Sequence, residues 1–235
     1  MALGESGSET MYPKHHIPSH HIDDDMLLSY AAGSLRQAAS IVVAAHLSLC
    51  PRCRAAVRAA EAVGGAMLDG IEPEAVSPDT SAAFFARLET VKEQPSKPAV
   101  ARVRALFGTP LPQNVLDYLP GDIEKLHWSW VQPGVKFAEM FTDKSGARVG
   151  LMRAAPGAPI TPHSHTGDEL TLVLSGGYRD GAAGFQRGDV QSVDDNVTHQ
   201  PLIDEQGECL SLVMTEGPVR PTRLIARIFR HFTRF

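Results

Sequence analysis

The chain has 235 residues, 43% hydrophobic and 21% charged, ordinary globular usage that argues against wholesale disorder. Its 22 Lys and Arg against 27 Asp and Glu give a net charge of −5, without the basic footprint of a nucleic-acid binder. Three cysteines, an odd number with two of them in Cys50-Pro-Arg-Cys53, exclude a disulfide-stapled secreted scaffold. The sequence has neither a run of about 18 apolar residues, as a membrane helix needs, nor an apolar leader core near its start. The expectation is a soluble, cytoplasmic protein in which Cys and some of the ten His serve metals.

Residues 1–20 are polar and aperiodic and read as a flexible N-terminal arm. Asp23, Asp24 and Asp25 then precede an apolar stretch, which predicts a helix over 26–32 with acids at its positive end. Gly33-Ser34 breaks it. Ala- and Val-rich segments without internal proline predict helices over 35–49 and 54–68. Pro73 and Pro78 mark a loop, and 81–91 reads as a fourth helix with a Phe84, Phe85, Leu88 face. A small helical domain over 21–95 results, followed by a polar, proline-bearing linker assigned to 96–110. Beyond it, short strands are predicted over 127–131, 135–142, 147–154, 169–175, 189–193 and 208–215, so 111–218 reads as an all-β sandwich or barrel. The last segment, 219–235, has several Arg and an apolar set (Leu224, Ile225, Ile228, Phe229, Phe232), a basic amphipathic tail. The fold class is α+β, with a helical domain first and a β domain second.

His46-Leu-Ser-Leu-Cys50-Pro-Arg-Cys53 places a His and a Cys at i and i+4, on one helix face, with a second Cys almost a turn further on. Closed zinc sites take four thiolate or imidazole ligands, and this motif supplies three. The fourth is to be found among His15, His16, His20 and His21, of which His21 stands nearest the first helix. A redox pair is the competing reading of Cys50 and Cys53. The segments HIDDDMLLSYAAGSL and VVAAHLSLCPRCRAAV resemble, in that order, the N-terminal domain of the ChrR-type zinc-binding anti-sigma factors. The resemblance covers about residues 15–95. It implies His21 as the upstream ligand beside His46, Cys50 and Cys53. It also implies a four-helix unit that wraps an extracytoplasmic-function-type sigma factor, one to one, and blocks the surfaces that engage core RNA polymerase.

A second constellation lies in the β domain. Pro162-His163-Ser164-His165-Thr-Gly-Asp-Glu169, followed by an apolar run and Gly176, is similar to the first cupin motif. His163 and His165 alternate with Ser164, so on a strand both point to one face. Glu169 opens the run read as the opposite arm of a hairpin, which Gly176-Gly177 closes. Gly188-Asp189 and His199-Gln-Pro201 resemble the second cupin motif, with Arg187 where a Pro is usual. Three imidazoles and a carboxylate (His163, His165, Glu169, His199) suit Zn, Fe(II), Mn or Ni, and a second divalent ion, taken as zinc, is expected there. The resemblance spans about 110–218 and implies a double-stranded β-helix barrel. ChrR-type proteins place a cupin after the anti-sigma domain, so the two resemblances converge on one family.

His127, in a strand beside Trp128 and Trp130, and His231, in the basic tail, read as non-ligands; Cys209 reads as a small buried hydrophobe. The leading function is a regulator: a zinc anti-sigma factor that releases its sigma factor when an oxidant, singlet oxygen or peroxide-like, acts through the cupin. It is not an enzyme, has no catalytic residues, and touches neither nucleic acid nor membrane; a protease is a further partner on signalling. The alternative is a dioxygenase- or isomerase-like cupin metalloenzyme with a zinc-stabilised accessory domain. A zinc-finger nucleic-acid binder fails on charge.

Overall fold

A computed structural model describes residues 16–90, 111–119, 126–218 and 220–221. Helix α1 (Asp24–Ala31) has Asp24 and Asp25 in its first turn, where free amides and the helix dipole favour negative charge. Gly33, at φ +67°, ends it. Helix α2 (Gln37–Leu49) is built almost wholly from small and branched apolar residues. Cys50, extended at φ −109°, then caps α3 (Pro51–Asp69): Cys53 N–H donates to its Sγ at 3.5 Å, and Pro51 fills the first helical position, where a missing amide costs nothing. Helix α4 (Pro78–Thr90) follows, and α5 (Gln113–Asp117), five residues long, was not expected from the sequence.

The strands are β1 (Ser129–Gln132), β2 (Val135–Thr142), β3 (Arg148–Ala154), β4 (His163–Ser164), β5 (Glu169–Ser175), β6 (Gly177–Asp180), β7 (Ala183–Gln186), β8 (Val190–Val193), β9 (Leu202–Ile203), β10 (Cys209–Thr215) and β11 (Arg220–Pro221). They form a six-stranded sheet in the order β1-β2-β3-β10-β5-β8, a three-stranded sheet β7-β6-β9 and a pair β11-β4. Every pairing is antiparallel. Among the described residues these are separate sheets rather than one continuous hydrogen-bonded ring. The expected hairpin between the His163 arm and the Glu169 arm does not form. β4 pairs with β11, whereas β5 pairs with β10 and β8. Gly176, at φ +72°, does not reverse the chain onto β4; it passes the chain from the six-stranded sheet into β6 of the three-stranded one.

The central strands are buried almost throughout, because both faces of the sheet are covered. Side-chain alternation divides the two faces. Leu170, Leu172 and Leu174 of β5, with Leu210, Leu212 and Met214 of β10, join Ile41, Val42 and Ala45 of α2 and Val115 of α5 in one hydrophobic cluster. Val173 and Cys209 face the other way, into a second cluster with Tyr178, Phe185 and Ile203 from the three-stranded sheet. Helix α2 thus lies on the outer face of the six-stranded sheet, between it and the other helices, and α5 is tied to it by Asn114 Nδ2 donating to Ile41 O at 3.1 Å. An ion pair joins Arg36, before α2, to Glu216, after β10. The helical and β parts therefore share a core, where the sequence suggested two units with cores of their own.

Two further expectations meet the structure at the edges. The helix over 81–91 forms as α4, but its Phe84, Phe85 and Leu88 face is bare, with Phe84 56% and Phe85 62% exposed. Residues 16–20, assigned to the flexible arm, are docked on the β part. The rest of the arm, the linker over 96–110 and all but 220–221 of the tail (Pro218, next to it, is described) lie outside the described residues, as do His15 and His231.

Candidate metal centres

The first centre forms where α2 runs into α3. His46 closes the last turn of α2, Cys50 caps α3 and Cys53 sits in its first turn, so the i, i+4, i+7 spacing turns all three inward; all are buried. His21 comes from the segment just before α1, with Nδ1 3.4 Å from Cys50 Sγ and 3.7 Å from Cys53 Sγ. One ligand-type atom from each of His21, His46, Cys50 and Cys53 lies within 4.8 Å of all the others. Of the other described histidines upstream, His16 Nε2 lies 3.1 Å from Asp189, and the His20 ring packs on Phe185 with centroids 4.3 Å apart. His21 is therefore the one that reaches the cysteines.

The chemistry of this set fits a metal. His46 Nδ1 donates to Gly188 O at 2.8 Å, which fixes the tautomer and leaves Nε2 as a lone pair. That Nε2 is buried and has no hydrogen-bond partner, a costly condition that a cation relieves. Burial, then Arg52, lowers the His21 pKa; burial, eased by the Gly188 bond, takes that of His46 down to about 4. Both imidazoles are thus neutral, as ligation requires. Burial and the neighbouring Cys50 push the Cys53 thiol up to about 11. A dithiol in so dry a place becomes thiolate only beside a positive charge.

The second centre lies among the strands. His163 stands on β4, His165 just after it, Glu169 opens β5, and His199 lies on the return stretch before β9, bridged to His163 across the chain. All four are buried, and ligand-type atoms of the four again lie within 4.8 Å of one another. His199 Nε2 is 3.0 Å from both His163 Nε2 and His165 Nε2. The ring orientations are set from behind: His163 Nδ1 donates to Thr161 O at 2.8 Å, and His199 Nδ1 to Asp180 Oδ2 at 2.9 Å. Burial and the other imidazoles hold His163 down to about 4 and His165 to about 3, so both are neutral. Burial raises Glu169 to about 7 against a 3.2 Å hydrogen bond from Thr171. His165 Nδ1, 3.4 Å from Glu169 Oε2, makes no hydrogen bond. Three lone pairs meeting at one point with a carboxyl beside them suit a divalent first-row ion.

Sequence reasoning missed the support of this centre. Asp180 accepts from His199, from Gln200 N and from Gln191 Nε2, and the buried Tyr178 hydroxyl donates to Gln191 Oε1 at 2.8 Å. Asp180 ends β6 beside a turn, where an acid reads as ordinary turn chemistry, so no sequence signal marks it. Cys209 is buried, its thiol pushed up to about 12 chiefly by burial, and His127 is exposed; neither joins a centre.

Comparison with known proteins follows this geometry. The model of the ChrR cupin-like domain matches residues 119–220. The anti-sigma-E factor ChrR of Cereibacter sphaeroides is 37% identical over 216 residues, 92% of this chain and 98% of that protein. The chain belongs to the ChrR family of anti-sigma factors. A crystal structure of Rhodobacter sphaeroides SigE in complex with the anti-sigma ChrR aligns with a TM-score of 0.68 at 35% identity, covering 83% of this chain and 98% of that one. The ChrR relationship runs the length of the chain and includes the helical part as well as the cupin-like sheets.

Proposed function

We propose that this chain binds an extracytoplasmic-function-type sigma factor one to one, keeps it from core RNA polymerase in the cytoplasm, and releases it when an oxidant acts on the cupin-like unit. The observation that carries the binding step is the free apolar surface at the end of the helical unit. Phe84, Phe85 and Leu88 of α4 are exposed, as are Val63, Met67 and Leu68 of α3, with Met67 at 71%. An apolar face of this extent on a surface marks a partner site, and the relative of like length is an anti-sigma factor. The helices that hold this face begin at the first metal centre, which sets the angle between α2 and α3.

In this reading His21, His46, Cys50 and Cys53 hold zinc as a closed structural site. His163, His165, Glu169 and His199 hold a second divalent ion, also zinc. When bound, the first ion supplies folding energy and the second an oxidant-sensitive, ligand-lined cavity. The chain's own residues do the rest: Gly188 O and Asp180 orient the imidazoles, and the sheet keeps water from the second centre. The helical unit inhibits, and the cupin-like unit times the release, with proteolysis of the freed inhibitor as a final step. An enzymatic role as a free-standing metal cupin would leave the apolar helical surface without a purpose.

Co-expression with a small sigma factor encoded beside this gene tests the reading. A copurifying one-to-one complex that blocks transcription in a reconstituted assay is expected. Sigma-dependent transcription that is unaffected by stoichiometric inhibitor would overturn it.

A further inference from the structure

The first metal centre is finished by the other half of the molecule. The turn between β7 and β8 belongs to the cupin-like unit, yet its Gly188 carbonyl accepts from His46 Nδ1 at 2.8 Å. The next residue, Asp189, is fully buried. Its Oδ1 accepts from Ser19 N at 2.6 Å and His20 N at 2.9 Å, the two residues that lead into His21. Its Oδ2 accepts from Gln186 N at 2.8 Å and lies 3.1 Å from His16 Nε2. Val190 N donates to His20 O at 3.3 Å, so the segment is held on both sides. The approach is close enough to require glycine: at Gly188, φ +95°, a Cβ would stand 2.7 Å from Pro18.

We infer that Gly188 and Asp189 are positioning residues of the N-terminal metal centre, so that the cupin-like unit sets how tightly the ion is held. The inference rests on the reading of His21, His46, Cys50 and Cys53 as ligands. The physical ground is that a ligand's own hydrogen bonds fix its direction, and their loss costs about 10–100-fold in metal affinity. His21 is the ligand most in need of this. It stands before α1, on extended chain with no helix of its own to hold it. Without Asp189 two backbone amides lose their acceptor and the strand-like segment 18–21 is free to swing away from the cysteines. The turn is in turn fixed to β5, since Gly188 N donates to Val173 O at 2.8 Å and Val173 N to Asp189 O at 3.1 Å.

The test uses the full chain loaded with zinc. Alkylation by iodoacetamide is followed cysteine by cysteine by mass spectrometry, in wild type, Asp189→Asn, Asp189→Ala and Ser19→Pro. Cys209, buried on a central strand away from both centres, reports unfolding. Faster modification of Cys50 and Cys53 by about 10–100-fold in the Asp189 variants, with Cys209 still protected, is expected. Ser19→Pro removes one of the two amide donors and should give a smaller rise. Rates equal to wild type with Cys209 protected would overturn the inference. If Cys209 also reacts in the Asp189 variants, Ser19→Pro decides: a rise with Cys209 protected supports the inference, and no rise overturns it. If zinc does not slow modification of Cys50 and Cys53 even in wild type, it is the ligand reading that fails, and the inference with it.

Discussion

Single atoms set the character of each centre. His46 has one ring nitrogen given to a carbonyl and the other left bare and buried, an arrangement that is unfavourable unless a cation occupies the space in front of it. Cys50→Ala or Cys53→Ala should therefore remove one equivalent of metal and loosen the α2–α3 corner, lowering the melting transition. Metal analysis with calorimetry checks this, and retention of full metal content and stability in both variants would count against a structural ion. Asp180 acts on His199 as Gly188 does on His46, so Asp180→Ala should weaken metal binding at the second centre by about 10–100-fold while leaving the first unchanged. Competition titration with a chelator reads the difference.

Asp189 adds a pH dependence whose sign follows from its hydrogen bonds. Burial works against its charge, but the amides of His20, Gln186 and Ser19, with His16, outweigh it and hold the pKa below the usual aspartate value of 3.8. A carboxylate depressed in the folded state stabilises it above the unfolded pKa, and that contribution is lost as pH falls through the folded one. The melting temperature of Asp189→Asn should therefore lie below wild type at neutral pH, and the gap should narrow below pH 3.8. A gap that persists undiminished in acid would show that the charge is not what matters.

At the level of elements, α4 and the end of α3 have apolar faces that fold against nothing among the described residues. Phe84→Ala and Phe85→Ala should each weaken sigma binding by about 1 kcal/mol or more, roughly fivefold. Their effect on melting should stay within about 0.5 kcal/mol, because no folded-state contact is lost. Calorimetric titration beside thermal unfolding separates the two. The same elements show what the sequence made legible. The four helices and the longer strands were plain because period 3.6 or 2 runs for seven residues or more in each, or because Gly and Pro bracket them. β4, β9 and β11 have two residues and α5 has five, too short for any period to register. The ligand sets were legible because metal chemistry dictates spacing along an element. Asp180 and Asp189 were not, since what they do depends on residues that are distant in sequence.

The joining of the two units is the feature of the whole molecule that the sequence reading missed, although α2 held the signal. Ala38, Ile41, Val42, Val43 and Ala45 point around the whole helix, and a helix apolar on all sides must be covered on all sides. Cutting the chain near Pro98 uncovers Ile41, Val42 and Ala45 and removes the Gly188 and Asp189 acceptors, each worth about 1 kcal/mol net. The truncated form should still bind the sigma factor, because the faces of α3 and α4 do not depend on the sheet. It should melt lower and lose zinc faster than the full chain. Failure to bind the sigma factor at all would place part of the inhibitory surface on the cupin-like unit.

Release needs free energy that distinguishes the bound from the released state. Moving an equilibrium from 1:99 to 99:1 takes about 5.5 kcal/mol. The second centre is placed to contribute. Glu169 opens β5 and is the Cα partner of Val193 on β8, and β8 begins immediately after the Gly188-Asp189 turn that supports the first centre. Loss or oxidation of a ligand at the second centre thus acts on a strand whose other end holds His46 and the approach to His21. His165→Ala and Glu169→Ala should leave sigma binding near wild type and blunt induction by an oxidant, measured as sigma-dependent transcription before and after stress. Linkage supplies a stricter test that needs no cell. If the state of the second centre alters sigma affinity by some factor, sigma binding must alter the second centre's metal affinity by the same factor. Chelator competition in the free protein and in the one-to-one complex should therefore show two different affinities, and the shift should be diminished in Asp189→Ala. Equal affinities in the two states would mean that the cupin-like metal takes no part in the equilibrium, and that release is driven elsewhere.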